Sequence, residues 1–130
     1  MECVVDASIL VAVLLNEPEK GRIIELTEDA DLVAPGCVPW EIANALSAML
    51  RRDRISTDVA RSLFGTFEQI PIRYVSVEFG NVLQLCGDHS LYAYDAHYLD
   101  CAQRHHIPIL SLDKRLRQVA VELRIPTPEI

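Results

Sequence analysis

No apolar run in this 130-residue sequence is long enough to span a bilayer; Ile9 to Leu15 falls far short of the ~20 residues required. The first residues carry Glu2 and Asp6 where a secretory signal needs Lys or Arg, so a cytoplasmic location without membrane attachment is expected. The four cysteines, at 3, 37, 86 and 101, contain no C-x-x-C pair, and a chain of this size needs no disulfide staples, so reduced core thiols are expected. With only 5 Gly and 7 Pro there is no flexible linker and no collagen-like or disordered composition. Neither G-x-G-x-x-G nor a P-loop occurs, and there is no internal repeat. Basic residues are also few: 12 Lys and Arg against 19 Asp and Glu leave a net charge of −7, which excludes a simple electrostatic binder of nucleic acid.

What is present is 50% hydrophobic residues in a length that closes one core, so residues 1–130 form a single domain. Most of the acidity lies within residues 1–31, and the rest is nearly neutral. Ten of the 12 bases are Arg, the planar fork suited to phosphate, with Arg51, Arg52 and Arg54 together and Arg115 and Arg117 following Asp113. These arginines are candidate phosphate contacts; as helix-end residues they would equally serve dipole and solubility.

Short β-branched runs alternate with helical patterns, which specifies an α/β domain with a short parallel sheet flanked by helices. Strands are expected at Cys3–Val5, Asp31–Ala34, Ile72–Val77 and Ile107–Leu112, with an edge strand over Ile125–Ile130. Helices are expected at Ser8–Leu15, Pro18–Glu28, Pro39 to about Arg52, from Ser56 or Thr57 to about Ile70, Glu78–Cys86, Tyr94–His105 and Lys114–Leu123. In the third of these, Trp40, Ala43, Leu46 and Leu50 are expected to share the buried face.

Asp6 and Asp113 each follow a strand, where ligands of open parallel sheets gather. Glu41 and Asp95 lie in first turns of helices, and all four acids have apolar neighbours. Taken singly, each is an ordinary helix cap or dipole partner. Together, acids drawn inward by apolar flanks need something positive, and a hard cation such as Mg²⁺ or Mn²⁺, held by carboxylates with water positions left open, suits phosphodiester hydrolysis. Cys86-x2-His89 and Cys101-x3-His105 imitate zinc spacings, but both pairs fall on apparent helices and structural thiols are the better reading. An aspartyl phosphatase would want a second Asp where Ser8 stands.

Val4-Val5-Asp6-Ala7-Ser8, Glu41 after a Pro-rich turn, Tyr94-Asp95-Ala96-His97-Tyr98-Leu99 and Ile109-Leu110-Ser111-Leu112-Asp113 occur in order, and with them the chain resembles the PIN-domain nucleases, especially the small ribonuclease toxins of the VapC type. The resemblance covers essentially the whole chain. It implies a three-layer PIN-like fold and a metal-dependent ribonuclease using Mg²⁺, with Mn²⁺ as substitute. It makes Asp6, Asp95 and Asp113 metal ligands and Glu41 a ligand directly or through water, with Ser8 and Ser111 as supporting hydroxyls and Asn44 beside the site. It further implies an RNA substrate, a small antitoxin partner and a homodimer; the alternative is a non-catalytic PIN-like module that binds RNA or regulates. His97 stands where the family often has an apolar residue, and Asp100 is unexpected in so apolar a helix; both are expected to face solvent.

Overall fold

The computed structural model describes all 130 residues. β1 (Glu2–Val5) lies inside a four-stranded parallel sheet between β2 (Asp31–Pro35) and β4 (Ile109–Leu110), with β3 (Ile72–Val75) on the far edge beyond β2. Val4 pairs with Val33 on one side and Ile109 on the other, and Cys3, Val4 and Val5 are all buried. A continuous apolar run is what a strand covered on both faces requires, so this short triplet specifies the sheet's interior.

The helices form two packing groups. α1 (Ala7–Leu14), α2 (Lys20–Thr27), α3 (Val38–Arg51) and α4 (Thr57–Glu68) pack on one another. On the other side α6 (Ala93–His105) sits on β1, β2 and β4 and carries α5 (Phe79–His89) and α7 (Lys114–Glu122). This is the three-layer α/β arrangement expected.

Helix ends follow local chemistry. Asp6, Ser56, Glu78 and Asp113 are N-caps whose side chains accept backbone N–H bonds from the first turns. α5 runs on past Cys86 to His89, and Ser90 and His106 end α5 and α6 in the left-handed region, at φ 54° and 55°.

Six expectations need correction. Ile125–Ile130 forms no strand: Ile109 N–H reaches Pro126 O at 2.9 Å, but Pro126 and Pro128 have no N–H with which to continue a ladder. The strands expected at Ile72–Val77 and Ile107–Leu112 are shorter, ending at Val75 and covering only Ile109–Leu110. In α3 the buried stripe is Val38, Ile42 and Leu46, spaced by four, while Trp40 is 69% exposed and Ala43 also faces out. Trp40 lies half a turn from Ile42, so the residue with the largest apolar surface is on the wrong side of the helix for the core.

Asp100, finally, is fully buried rather than solvated, and His97 is half-buried. Asp100 Oδ1 and Oδ2 accept from Arg104 Nε at 3.0 and 3.1 Å, Oδ2 from Glu78 N–H at 3.1 Å, and Oδ1 from Asn81 Nδ2 at 2.9 Å. Arg104 also donates to Ser76 O at 2.8 Å, so one carboxylate ties the start of α5 and the strand before it to α6. Breaking a buried pair by removing one partner costs about 3–5 kcal/mol, and Arg104, with its side chain 37% exposed, falls at or below the lower limit. Arg104→Met is therefore expected to destabilise the fold by about 2–3 kcal/mol, read from urea midpoints at unchanged slope.

Candidate active site

β1 and β4 lie side by side, and the chain leaves both at the same end of the sheet, bringing Asp6 and Asp113 to one place. Asp6 is 4% exposed. Its Oδ1 accepts from Ser8 Oγ at 2.6 Å and from Ile9 N–H at 3.1 Å, and its Oδ2 accepts from Ser111 Oγ. The two hydroxyls also link the strands: Leu112 N–H donates to Ser8 Oγ and Asp113 N–H to Ser111 Oγ, each at 2.9 Å. Asp113 Oδ1 caps α7 through Leu116 N–H at 2.9 Å. These aspartates are thus helix caps that keep free acceptor capacity: one lone-pair direction remains open on Asp6 Oδ2, and the whole of Asp113 Oδ2 remains open.

Glu41 is held from the opposite side. Its Oε2 accepts from the Tyr98 hydroxyl and faces Cys37 Sγ at 3.6 Å, leaving Oε1 without a protein partner. Asp95 lies half-buried in the first turn of α6. Burial raises the Asp6, Glu41 and Asp95 carboxyls above their usual range, and like charge adds to it: Asp113 acts on Asp6 and Asp95, and both Asp6 and Asp95 act on Glu41. Burial, then the neighbouring Glu41 carboxylate, pushes the Cys37 thiol up to about 12, so it is a neutral thiol here. None of the four carboxylates pairs with Lys, Arg or His.

The donor set fits a hard divalent cation: four carboxylates with free oxygens, mutually repelling and without a protein counter-charge. No three His, Cys, Asp or Glu side chains are close enough to make a ready-made cage, so the arrangement is open. The zinc-like pairs do not converge: Cys101 is buried, His105 is exposed, and His89 Nδ1 meets Glu122 at 3.2 Å. All four cysteines are free, and all but the half-buried Cys86 are buried.

Next to the acids is a cleft of about 870 Å³, lined among others by Ser8, Glu41 and Asn44, together with Glu17, Glu19, Trp40 and Tyr94. Asn44 lines this cleft one turn beyond Glu41. Tyr98, Cys37 and the rim aromatics are parts of the site that the sequence reading lacks. Tyr98 has one signal, its spacing three residues after Asp95 on the same helix face.

The arginines are elsewhere. Arg51, Arg52 and Arg54 are exposed at the other end of α3, ten residues from Glu41 to Arg51 and hence about 15 Å along the axis. Arg115 donates to His89 O. Arg117 is committed to the fold, donating to Ser111 O and Pro128 O at 3.2 Å and facing Glu129 at 3.6 Å.

Ser111 is the hydroxyl on which most depends, because it gives its hydrogen to a buried carboxylate and takes the Asp113 N–H. Ser111→Ala is expected to cost about 1–3 kcal/mol in chemical denaturation, the usual penalty for leaving buried polar groups short of a partner.

Comparison with known proteins agrees with this fold. The PIN domain family model matches residues 3–122. Ribonuclease VapC9 of Mycobacterium tuberculosis and a VapC ribonuclease of Mycobacterium bovis are each 32% identical over 115 residues, 87% of either chain. Among solved structures, PAE2754 from Pyrobaculum aerophilum superposes with a TM-score of 0.70 at 21% identity, covering 95% of this chain and 90% of that one. VapBC2 from Rickettsia felis, bound to a DNA fragment from its promoter, superposes at 0.68 with 10% identity and 98% of each chain, which speaks for the fold alone. With a parallel sheet of order β3-β2-β1-β4, four carboxylates gathered at its end and a family model spanning nearly its whole length, this chain belongs to the PIN-domain family and, within it, to the VapC ribonucleases.

Proposed function

We propose that the chain is a metal-dependent ribonuclease acting as the toxin of a toxin-antitoxin pair. The observation that carries this reading is the set of four carboxylates from four separate elements, near enough for like charge to act between them and with none of them paired to a cationic side chain. A protein that only bound RNA would have no use for so unfavourable a cluster and would place its arginines there, so the non-catalytic alternative is not favoured.

Asp6, Asp95 and Asp113, with Glu41, would hold Mg²⁺ or Mn²⁺; when bound, such a cation supplies positive charge that polarises the phosphodiester and makes water more acidic. The chain itself does the orienting. Ser8, Ser111 and Ile9 N–H fix Asp6, and Tyr98 with Cys37 fixes Glu41 so that Oε1 is directed at neither. In this reading Oε1 aligns a water with the phosphorus and takes its proton as it attacks in line. The 3′ oxygen departs, and no covalent intermediate on the protein is needed. Arg51, Arg52, Arg54 and Arg115 are proposed to track RNA phosphates beyond the cleft; Arg117, bound to backbone carbonyls, would contribute least.

The VapBC complex from Rickettsia felis supports a small antitoxin partner for this chain. Such a partner would inhibit by inserting Arg or Lys among the four carboxylates, and a homodimer is proposed as the working assembly. The test is purified protein against tRNA, rRNA and mRNA fragments with Mg²⁺, Mn²⁺ or chelator, beside an Asp6→Asn control. Cleavage that needs the cation and is lost in the control is expected; binding without turnover would return the chain to the non-catalytic class.

A further inference from the structure

A second cavity, of about 420 Å³, opens beside the acidic cleft. Its lining includes Trp40 from α3, and Tyr94 and His97 of α6 with Phe79 of α5. These last three rings are linked edge to face, Phe79 to His97 at 5.7 Å and Tyr94 to His97 at 6.0 Å between centroids, and His97 Nδ1 bonds Ala93 O, which fixes its ring. The floor includes Gly36 and Cys37. Trp40 and Tyr94 line both cavities, and each directly precedes an acid of the site, Glu41 and Asp95. They are therefore the partition between slot and cleft.

Large aromatics so exposed, Trp40 at 69%, Phe79 at 64% and Tyr94 at 48%, mark a contact surface. No Lys, Arg, Asp or Glu lines the slot, while the cleft next to it carries Glu17, Glu19 and Glu41 and no base. Phosphates are thus repelled from most of this region, and affinity for a nucleotide chain near the acids has to come from uncharged groups. Flat rings a residue away from the carboxylates suit the one uncharged, flat part of RNA. His97 also gains a role that solvent exposure would not give it, as a polar ring in a wall otherwise apolar.

We propose that this slot receives one base of the substrate beside the scissile phosphate, stacked on Trp40 and Tyr94, which makes these two rings positioning residues of the site. The inference rests on the ribonuclease reading above and names residues that hold its substrate. It uses aromatic faces as platforms that accept any base, a contact in which each aromatic accounts for roughly 5- to 100-fold in affinity.

Trp40 is the only tryptophan, so its fluorescence reports on the slot directly. In chelator, where turnover is stopped, an octa-adenylate is expected to quench it, and an abasic ribose-phosphate chain of equal length is not. In Mg²⁺ or Mn²⁺, Trp40→Ala and Tyr94→Ala are expected to raise KM for unstructured RNA roughly 5- to 100-fold with a smaller change in kcat, while Trp40→Phe and Tyr94→Phe stay close to wild type. Tyr92→Ala is the control, since Tyr92 is 86% exposed but lines neither cavity. Quenching equal for both oligomers or absent for both, or an unchanged KM in Trp40→Ala, overturns the proposal. Loss of binding to a co-purified antitoxin or to a second copy in Trp40→Ala, without base-dependent quenching, assigns the slot to protein and also overturns it. Base-dependent quenching in a protein that cleaves nothing supports the slot and instead removes the ribonuclease reading.

Discussion

Asp6→Asn, Asp95→Asn and Asp113→Asn are each expected to lower RNA cleavage by about 10²- to 10³-fold, since a cation's hold on the developing charge is worth several kcal/mol and each substitution would remove the charge of one proposed ligand. The fold should survive all three. In Asp113→Asn the new side chain would still accept the Leu116 N–H, because asparagine caps a helix as well as aspartate does. In Asp6→Asn the amide oxygen would stay toward Ser8 and Ile9 N–H, and Ser111 Oγ has a second lone pair for the amide nitrogen. The measurement is kcat/KM on a fixed RNA with circular dichroism alongside. Near-wild-type rates in all three variants would mean that the cluster has no part in the reaction. Glu41→Gln is expected to fall less in cation affinity than in turnover, because the amide oxygen can still receive Tyr98 but cannot take a proton from water.

The second large effect is on stability. Two carboxylates about 4 Å apart would repel by about 4 kcal/mol at an effective dielectric of 20, and wider spacing lowers this, as does water where it reaches the half-buried Asp95. The raised carboxyls of Asp6, Glu41 and Asp95 mean that the folded protein without cation holds more protons than the unfolded chain. A raised folded value gives a contribution that is fully present below the unfolded pKa, about 4 for these groups, and lost as pH rises through the folded values. The strain is therefore at its greatest near neutrality. Saturating Mn²⁺ at pH 7.5 is expected to raise the melting temperature by about 10 °C, taking about 2.7 kcal/mol at one hundred times Kd. Asp95→Asn is expected to raise it by a few degrees without cation, more at pH 7.5 than at about pH 4, and to diminish the Mn²⁺ increment, since both changes relieve one repulsion. Full additivity would show that the acids do not share a site.

The acids are readable in the sequence because their neighbours constrain them. Val4 and Val5 can only be buried, so Asp6 has to emerge at the strand's end, and Ile109 and Leu110 do the same for Ser111 and Asp113. Trp40 misleads because hydrophobicity ranks it as core while the i, i+4 geometry of Val38, Ile42 and Leu46 faces it outward, and that conflict is itself the sign of a functional surface. Asp100 looks like a solvated charge because its partners lie far off in sequence, at Glu78 and Asn81, or one turn on at Arg104. Tyr98 and Cys37 give little signal until Glu41 is placed in space. The last strand fails on its prolines, as a count of available N–H donors shows.

The position of β4 has a consequence in time. Asp6 precedes Ser111 by 105 residues, yet its Oδ2 is satisfied by that hydroxyl, and β1 receives its second neighbour only through Val4 N–H to Pro108 O and Asp6 N–H to Leu110 O. A chain in which this last pairing has not formed has three of the four strands and an incomplete set of acids. Contacts of such long sequence separation form late. The acid set is thus completed by the slowest kind of contact in the fold, and a partly folded chain carries Asp6 and Glu41 before the pairing of β1 with β4 brings Asp113 beside them.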